Sequence, residues 1–121
     1  MNFTHLHVHT EYSLLDGSNK IKEYVDRVKE LGMDSAAITD HGVMYGVIDF
    51  YRAARAEGIN PILGCEVYVA PGSRFDREAG SGEDRYYHLV LLAENNQGYA
   101  NLMKIVSKGF TEGFYYKPRV D

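Results

Sequence analysis

Between Phe3 and His9 apolar and polar positions alternate with period two, which puts Leu6 and Val8 on one side of an extended segment and His5, His7 and His9 on the other. The pattern predicts a first strand there and a loop over residues 10–17. From Ser18, read as an N-cap, the residues Ile21, Tyr24, Val25, Val28 and Leu31 recur at helical spacing among charged neighbours, so a helix is expected to about Leu31, with Gly32 as its stop. Ser35 to Thr39 is a short apolar run that predicts a buried strand ending at Asp40-His41-Gly42. A second helix is expected from about Met44 to Glu57, burying Ile48, Tyr51 and Ala54, with Gly58 beyond it. Pro61 to Val69 predicts a third strand with Ile62, Gly64, Glu66 and Tyr68 on one face and Leu63, Cys65, Val67 and Val69 on the other. Residues 70–85 are rich in Pro, Gly, Ser and charge and read as a long exposed, disordered loop. A fourth strand, Tyr86 to Ala93, and a third helix, Gln97 to Lys108, with Tyr99, Leu102, Met103 and Val106 on its apolar face, precede an aromatic and basic tail.

Strands alternating with helices predict an α/β domain with a parallel sheet. His9, His41 and Glu66 fall near the C-terminal ends of successive strands, where such sheets place ligand sites. Four strands cannot close a barrel whose type case needs eight, so residues 1–121 are expected to be the N-terminal portion of a longer domain. Such a piece should expose apolar surface at the open barrel edge and self-associate.

Composition narrows the setting. The apolar fraction of 45% and charged fraction of 25% are those of an ordinary globular protein, and no run approaches the ~20 apolar residues of a membrane span. Cys65 is the single cysteine and no leader pattern opens the chain, so a cytoplasmic location is expected. A net charge of -4 argues against a broad nucleic-acid footprint within these residues.

Against this background the candidate chemistry is concentrated in His7, His9, Asp16, His41, Glu66 and His88. Mixed imidazole and carboxylate donors suit a hydrolytic site of two or three divalent ions, with a bridging carboxylate holding ions ~4 Å apart. Glu66 is chosen as the bridge. Any one of these histidines alone would be read as a hydrogen-bonded core or surface residue; their arrival at one end of the strands tips the balance. Asp40 is read as orienting His41, Cys65 as core, and His5 as a core residue one layer deeper than His7. Gly64 marks a close approach, either of backbone to the site or of a packed neighbour. Tyr115, Tyr116, Lys117 and Arg119 could stack on and pair with single-stranded DNA, or pack against a missing part of the domain.

The segments His7-Val8-His9-Thr10 with Ser13 and Asp16-Gly17, then Ile38-Thr39-Asp40-His41-Gly42, then Gly64-Cys65-Glu66-Val67, resemble the first three motifs of the polymerase and histidinol phosphatase (PHP) family. The longer run Phe3 to Gly17, with His88 to Ala93 and Phe114 to Arg119, is similar to the PHP domains of bacterial replicative DNA polymerases. The resemblance implies a distorted seven-stranded β/α (TIM-like) barrel, of which this chain is the first part. It implies up to three ions, of zinc, manganese or iron with zinc favoured: His7 and His9 on one, Glu66 bridging to a second held by His88, and Asp16 with His41 on a third. The implied activity is metal-dependent hydrolysis of a DNA 3′ end, a 3′-5′ exonuclease in which Glu66, His9 and His41 are catalytic. The parent would be a DNA-directed DNA polymerase, a nucleotidyltransferase working with DNA and other replicase subunits, and this portion alone is expected to be inactive. Two alternatives are a metal-stabilised scaffold bracing the polymerase and a small-molecule phosphatase of the histidinol phosphate kind.

Overall fold

The computed structural model describes residues 3–77 and 85–121, with the side chains of residues 14–16 set aside. The chain runs through a 3₁₀ turn at Glu11–Asp16, helix α1 at Ile21–Glu30, strand β1 at Ser35–Ile38, helix α2 at Val47–Ala56 and strand β2 at Asn60–Val69. Strand β3 at Tyr87–Leu92, helix α3 at Asn96–Thr111 and a hairpin of β4 at Phe114–Tyr115 and β5 at Lys117–Val120 complete it.

Helical periodicity fixes α1, which buries Ile21, Val25 and Val28 and ends with the glycine turn expected at Gly32. Gly32 sits at φ 72°, its amide bonds the carbonyl of Lys29, and the amide of Met33 bonds that of Val28. Helix α2 ends in the same way, with Gly58 at φ 72° and the amides of Gly58 and Ile59 on the carbonyls of Arg55 and Ala54. A left-handed residue followed by a buried apolar one, Met33 or Ile59, turns each helix directly into the next strand. Lys20 rather than Ser18 is the α1 N-cap, and it makes no side-chain capping bond. The buried stripe of α2 is Val47, Phe50 and Ala54, so Ile48 and Tyr51 are exposed rather than core residues. The helix starts three residues later than expected, and its inward face is the one that stacks Phe50 on Tyr24 of α1. On α3, Leu102 is buried and Met103 is exposed.

The sheet is mixed rather than wholly parallel. β1 and β5 run parallel to β2, while β3 pairs antiparallel with β2 from Gly64↔Leu92 to Val69↔Tyr87. Residues 78–84 of the expected disordered loop lie outside the described residues. Its earlier part is tied down: Arg74 pairs with Glu112 at 2.7 Å and Asp121 at 2.9 Å. Residues 3–9 carry no strand assignment. They join the end of β1 through one backbone bond, Thr39 N to Val8 O at 2.8 Å, because the Val8 amide is taken by the Thr39 hydroxyl instead of a carbonyl. His5 is exposed and meets Phe3 edge-on at 4.8 Å, so it is not the core residue expected.

Gly64 is explained by a packed neighbour: a Cβ there would collide with the Leu91 carbonyl of β3. Two clusters form the core, one between α1, α2 and β1, the other of Cys65, Val67, Leu102 and Val120.

Burial pushes the Tyr24 phenol, bonded to the Ala37 carbonyl at 2.8 Å, up to about 12, and the Cys65 thiol likewise to about 12. Both groups hold their protons longer in the fold than in the unfolded chain, so their contribution is intact below about pH 9 and is lost as pH rises towards 12. A melting temperature measured against pH is expected to fall across this window, and Tyr24→Phe to flatten the part above pH 10; a curve unchanged by the substitution would refute the assignment.

Candidate metal centre

Glu66 lies at the middle of β2, the strand with neighbours on both edges, and is 6% exposed. Its backbone is gripped by the turn after β1: the Glu66 amide bonds Asp40 O at 3.0 Å and the Gly42 amide bonds Glu66 O at 2.9 Å. This bridge brings His41 alongside Glu66, and the β3 register places His88 opposite Tyr68, two residues further along the same face.

The N-terminal segment supplies the other imidazoles. Asp40, fully buried, accepts from the Thr10 amide at 2.5 Å, the Thr10 hydroxyl at 2.7 Å and the Ser13 hydroxyl at 2.8 Å. Ser13 Oγ in turn accepts the His41 amide at 3.1 Å. Asn19 Nδ2 also holds the His9 carbonyl at 2.9 Å. These contacts fix residues 7–13 where strand pairing does not. Thr10, Ser13 and Asp40 stand in the sequence motifs beside the histidines, but only Asp40 is read there with a role, that of orienting His41; the anchoring role of Thr10, Ser13 and Asn19 comes from the structure.

All four imidazoles then converge on one carboxylate. His7 Nε2 is 2.7 Å and His9 Nε2 2.5 Å from Glu66 Oε2, with His41 Nδ1 3.6 Å from that oxygen. His88 Nδ1 is 3.3 Å from Oε1. The His9 and His41 rings lie 3.9 Å apart, and His41 and His88 5.5 Å. Burial pushes the Glu66 carboxyl up, but hydrogen bonds with His7 and His9 and the nearby charges of His41 and His7 outweigh it and hold the group below its ordinary range.

Two donor groups share Glu66: His7, His9 and Glu66, and His41, Glu66 and His88, with the donor atoms of each within 4.8 Å of one another. His7 and His9 already take up the two lone pairs of Oε2, and His41 Nδ1 at 3.6 Å lies beyond hydrogen-bond reach of it, an excess of nitrogen donors around one carboxylate that divalent cations would satisfy. The donor set therefore fits divalent metal. The side chain of Asp16 lies outside those described, so its part in a third site is not placed here.

The nucleic-acid candidates divide. Tyr116 and Lys117 are exposed, whereas Arg119 is 2% exposed and its guanidinium donates to the backbone carbonyls of Gly113, Arg74 and Asp76. Arg119 is thus a structural tie for residues 74–76 and not a surface contact.

Asp40→Ala is expected to cost about 2–4 kcal/mol, because it strands buried donors of Thr10 and Ser13, and to accelerate amide exchange over residues 7–13. Exchange there at the native rate would show that Asp40 does not anchor the segment.

The PHP domain family matches residues 5–121. The DNA polymerase III subunit alpha of Treponema pallidum is 54% identical over 121 residues, and that of Chlamydia pneumoniae 49%; each match takes in all of this chain and 10% of the relative. The chain therefore spans about a tenth of the length of the curated relatives it matches. Among solved structures, an amidohydrolase from Chromobacterium violaceum with bound sulfate and no metal is 27% identical, with a TM-score of 0.58 over 87% of this chain and 34% of its own. A candidate metal-dependent phosphoesterase from Bifidobacterium adolescentis, at 19% identity and TM-score 0.58 over 90% of this chain and 35% of its own, shares the fold. On the family match across residues 5–121, this chain belongs to the PHP domain family.

Proposed function

We propose that the Glu66 cluster is a metal-dependent phosphodiester-hydrolysing site that acts on DNA 3′ ends, within a replicative DNA polymerase. The observation that carries the reading is one buried carboxylate reached by His7, His9 and His41 on one oxygen and by His88 on the other. The polymerase relatives, at about half identity, support the parent activity as a DNA-directed DNA polymerase with DNA and other replicase subunits as partners. Polymerisation itself would require residues outside this chain. Residues 1–121 are read as the first portion of a distorted seven-stranded barrel, consistent with solved neighbours whose own chains are matched over about a third of their length. Among the described residues no helix is long and apolar enough to cross a membrane, and a cytoplasmic setting is part of the proposal.

His7 and His9 would hold one ion, His41 and His88 would face a second, and Glu66 would be shared between them, with Asp16 a candidate for a third. Bound divalent ions would supply an activated water and neutralise charge on the phosphodiester. An imidazole-rich set with one carboxylate suits zinc, manganese or iron, zinc being favoured. The chain's own contribution is placement. Asp40 and Ser13 fix the backbone of His41, and Thr10 fixes that of His9, so the rings need no reorganisation when substrate arrives.

Glu66→Gln keeps the shape and removes the shared charge, so DNA 3′-end hydrolysis by the full-length protein is expected to fall by 100-fold or more, on the order of one lost electrostatic group. Metal retained with no Glu66-dependent cleavage would leave only a bracing role for the domain.

A further inference from the structure

Tyr116 is the only described non-glycine residue with a positive φ, 63°. It forms the turn of the β4–β5 hairpin, between Tyr115 and Lys117, which pair with each other. Glycine adopts this conformation freely, whereas a bulky L residue adopts it at a cost. Burial does not offset that cost, because Tyr116 is 59% exposed. Its ring is nevertheless held on both sides: the Arg85 guanidinium lies 3.9 Å from its centroid, and the Tyr115 ring meets it edge-on at 4.6 Å.

From the residue next to Arg85 a line of rings runs to the metal centre. Tyr86, the residue after Arg85, meets Tyr68 at 5.0 Å and His88 at 5.7 Å. Tyr68 lies parallel to His41 at 6.1 Å and carries the Lys117 ammonium 5.7 Å from its centroid. Other cationic groups nearby are already engaged: Arg74 by Glu112 and Asp121, and Arg77 and Arg119 by backbone carbonyls. Arg85 and Lys117 are instead exposed beside aromatic faces.

We infer that Tyr116 and Arg85, with Tyr86 and Lys117 beside them, form a lip that stacks bases and holds phosphates of a single-stranded nucleic acid and leads its end to the Glu66 cluster. This rests on the phosphodiester reading of that cluster. Exposed rings alternating with cations match the two faces of a single strand, flat bases and a charged backbone, and require no particular sequence. Two cations on a chain of net charge -4 limit the contact to a short stretch of strand. Tyr116 and Arg85 are positioning residues, since neither touches Glu66.

The test uses a labelled phosphorothioate oligothymidylate, which resists cleavage, and anisotropy on the intact protein at several salt concentrations. Tyr116→Gly is expected to weaken binding about tenfold while leaving the melting temperature unchanged or higher, because the turn is relaxed. Tyr116→Phe should bind as the native protein does, and Arg85→Ala should weaken binding and reduce the salt slope by roughly 0.7. Unchanged affinity in Tyr116→Gly overturns the lip, as does a loss matched by a lowered melting temperature; Glu66-dependent hydrolysis would then still stand on its own. Tyr116-dependent binding without Glu66-dependent hydrolysis would keep the single-strand contact but remove the hydrolytic reading and, with it, the delivery of an end to the Glu66 cluster.

Discussion

A carboxylate buried on the central strand, with imidazoles gathered round it, is the constraint on which the rest of this structure depends. A buried charge is costly unless it is paired and hydrogen-bonded. Glu66 meets that requirement with groups from three separate parts of the chain: residues 7–9, the turn after β1, and β3. Each must be delivered within a few ångströms, so the fold's local devices read as means of delivery. The glycine turns after α1 and α2 return the chain promptly to β1 and β2. The Asp40 hub attaches the N-terminal segment without a strand ladder.

The mixed sheet follows the same logic. β3 runs antiparallel to β2, so His88 enters from a strand of opposite direction yet faces the same cluster. β5 adds to the edge of β2 beyond the His41 bridge, and its Arg119 ties residues 74–76 to the hairpin. Apolar side chains remain exposed on β3, notably Tyr87, Leu89 and Leu92. An edge strand of this kind favours association unless something covers it.

Much of this was legible in the residues. Helical spacing located α1 and α3 to within a few positions, and period two in Pro61 to Val69 put Glu66 and Cys65 on opposite faces. The histidines at i and i+2, with Asp40-His41 and Glu66, pointed to one cluster, although of these only His41 follows a strand end: residues 3–9 form no strand and Glu66 lies within β2. Other features left weaker traces. Periodicity carries no information on strand direction, so the antiparallel β3 was invisible. Pro118 and flanking charges hid the β4–β5 hairpin, whose turn depends on one tyrosine in an unusual conformation. Apolar residues lie on more than one face of α2, which hides from the sequence that Ile48 and Tyr51 are on its exposed side. Arg119 looked like a surface cation, since only tertiary contacts supply the carbonyls that bury it.

The central claim is that Glu66 is shared between ions. The direct measurement is electron paramagnetic resonance of the intact protein loaded with Mn²⁺: the account predicts the broadened signal of an exchange-coupled pair that collapses in Glu66→Gln. A spectrum of isolated, uncoupled ions, or one indifferent to Glu66, would contradict it.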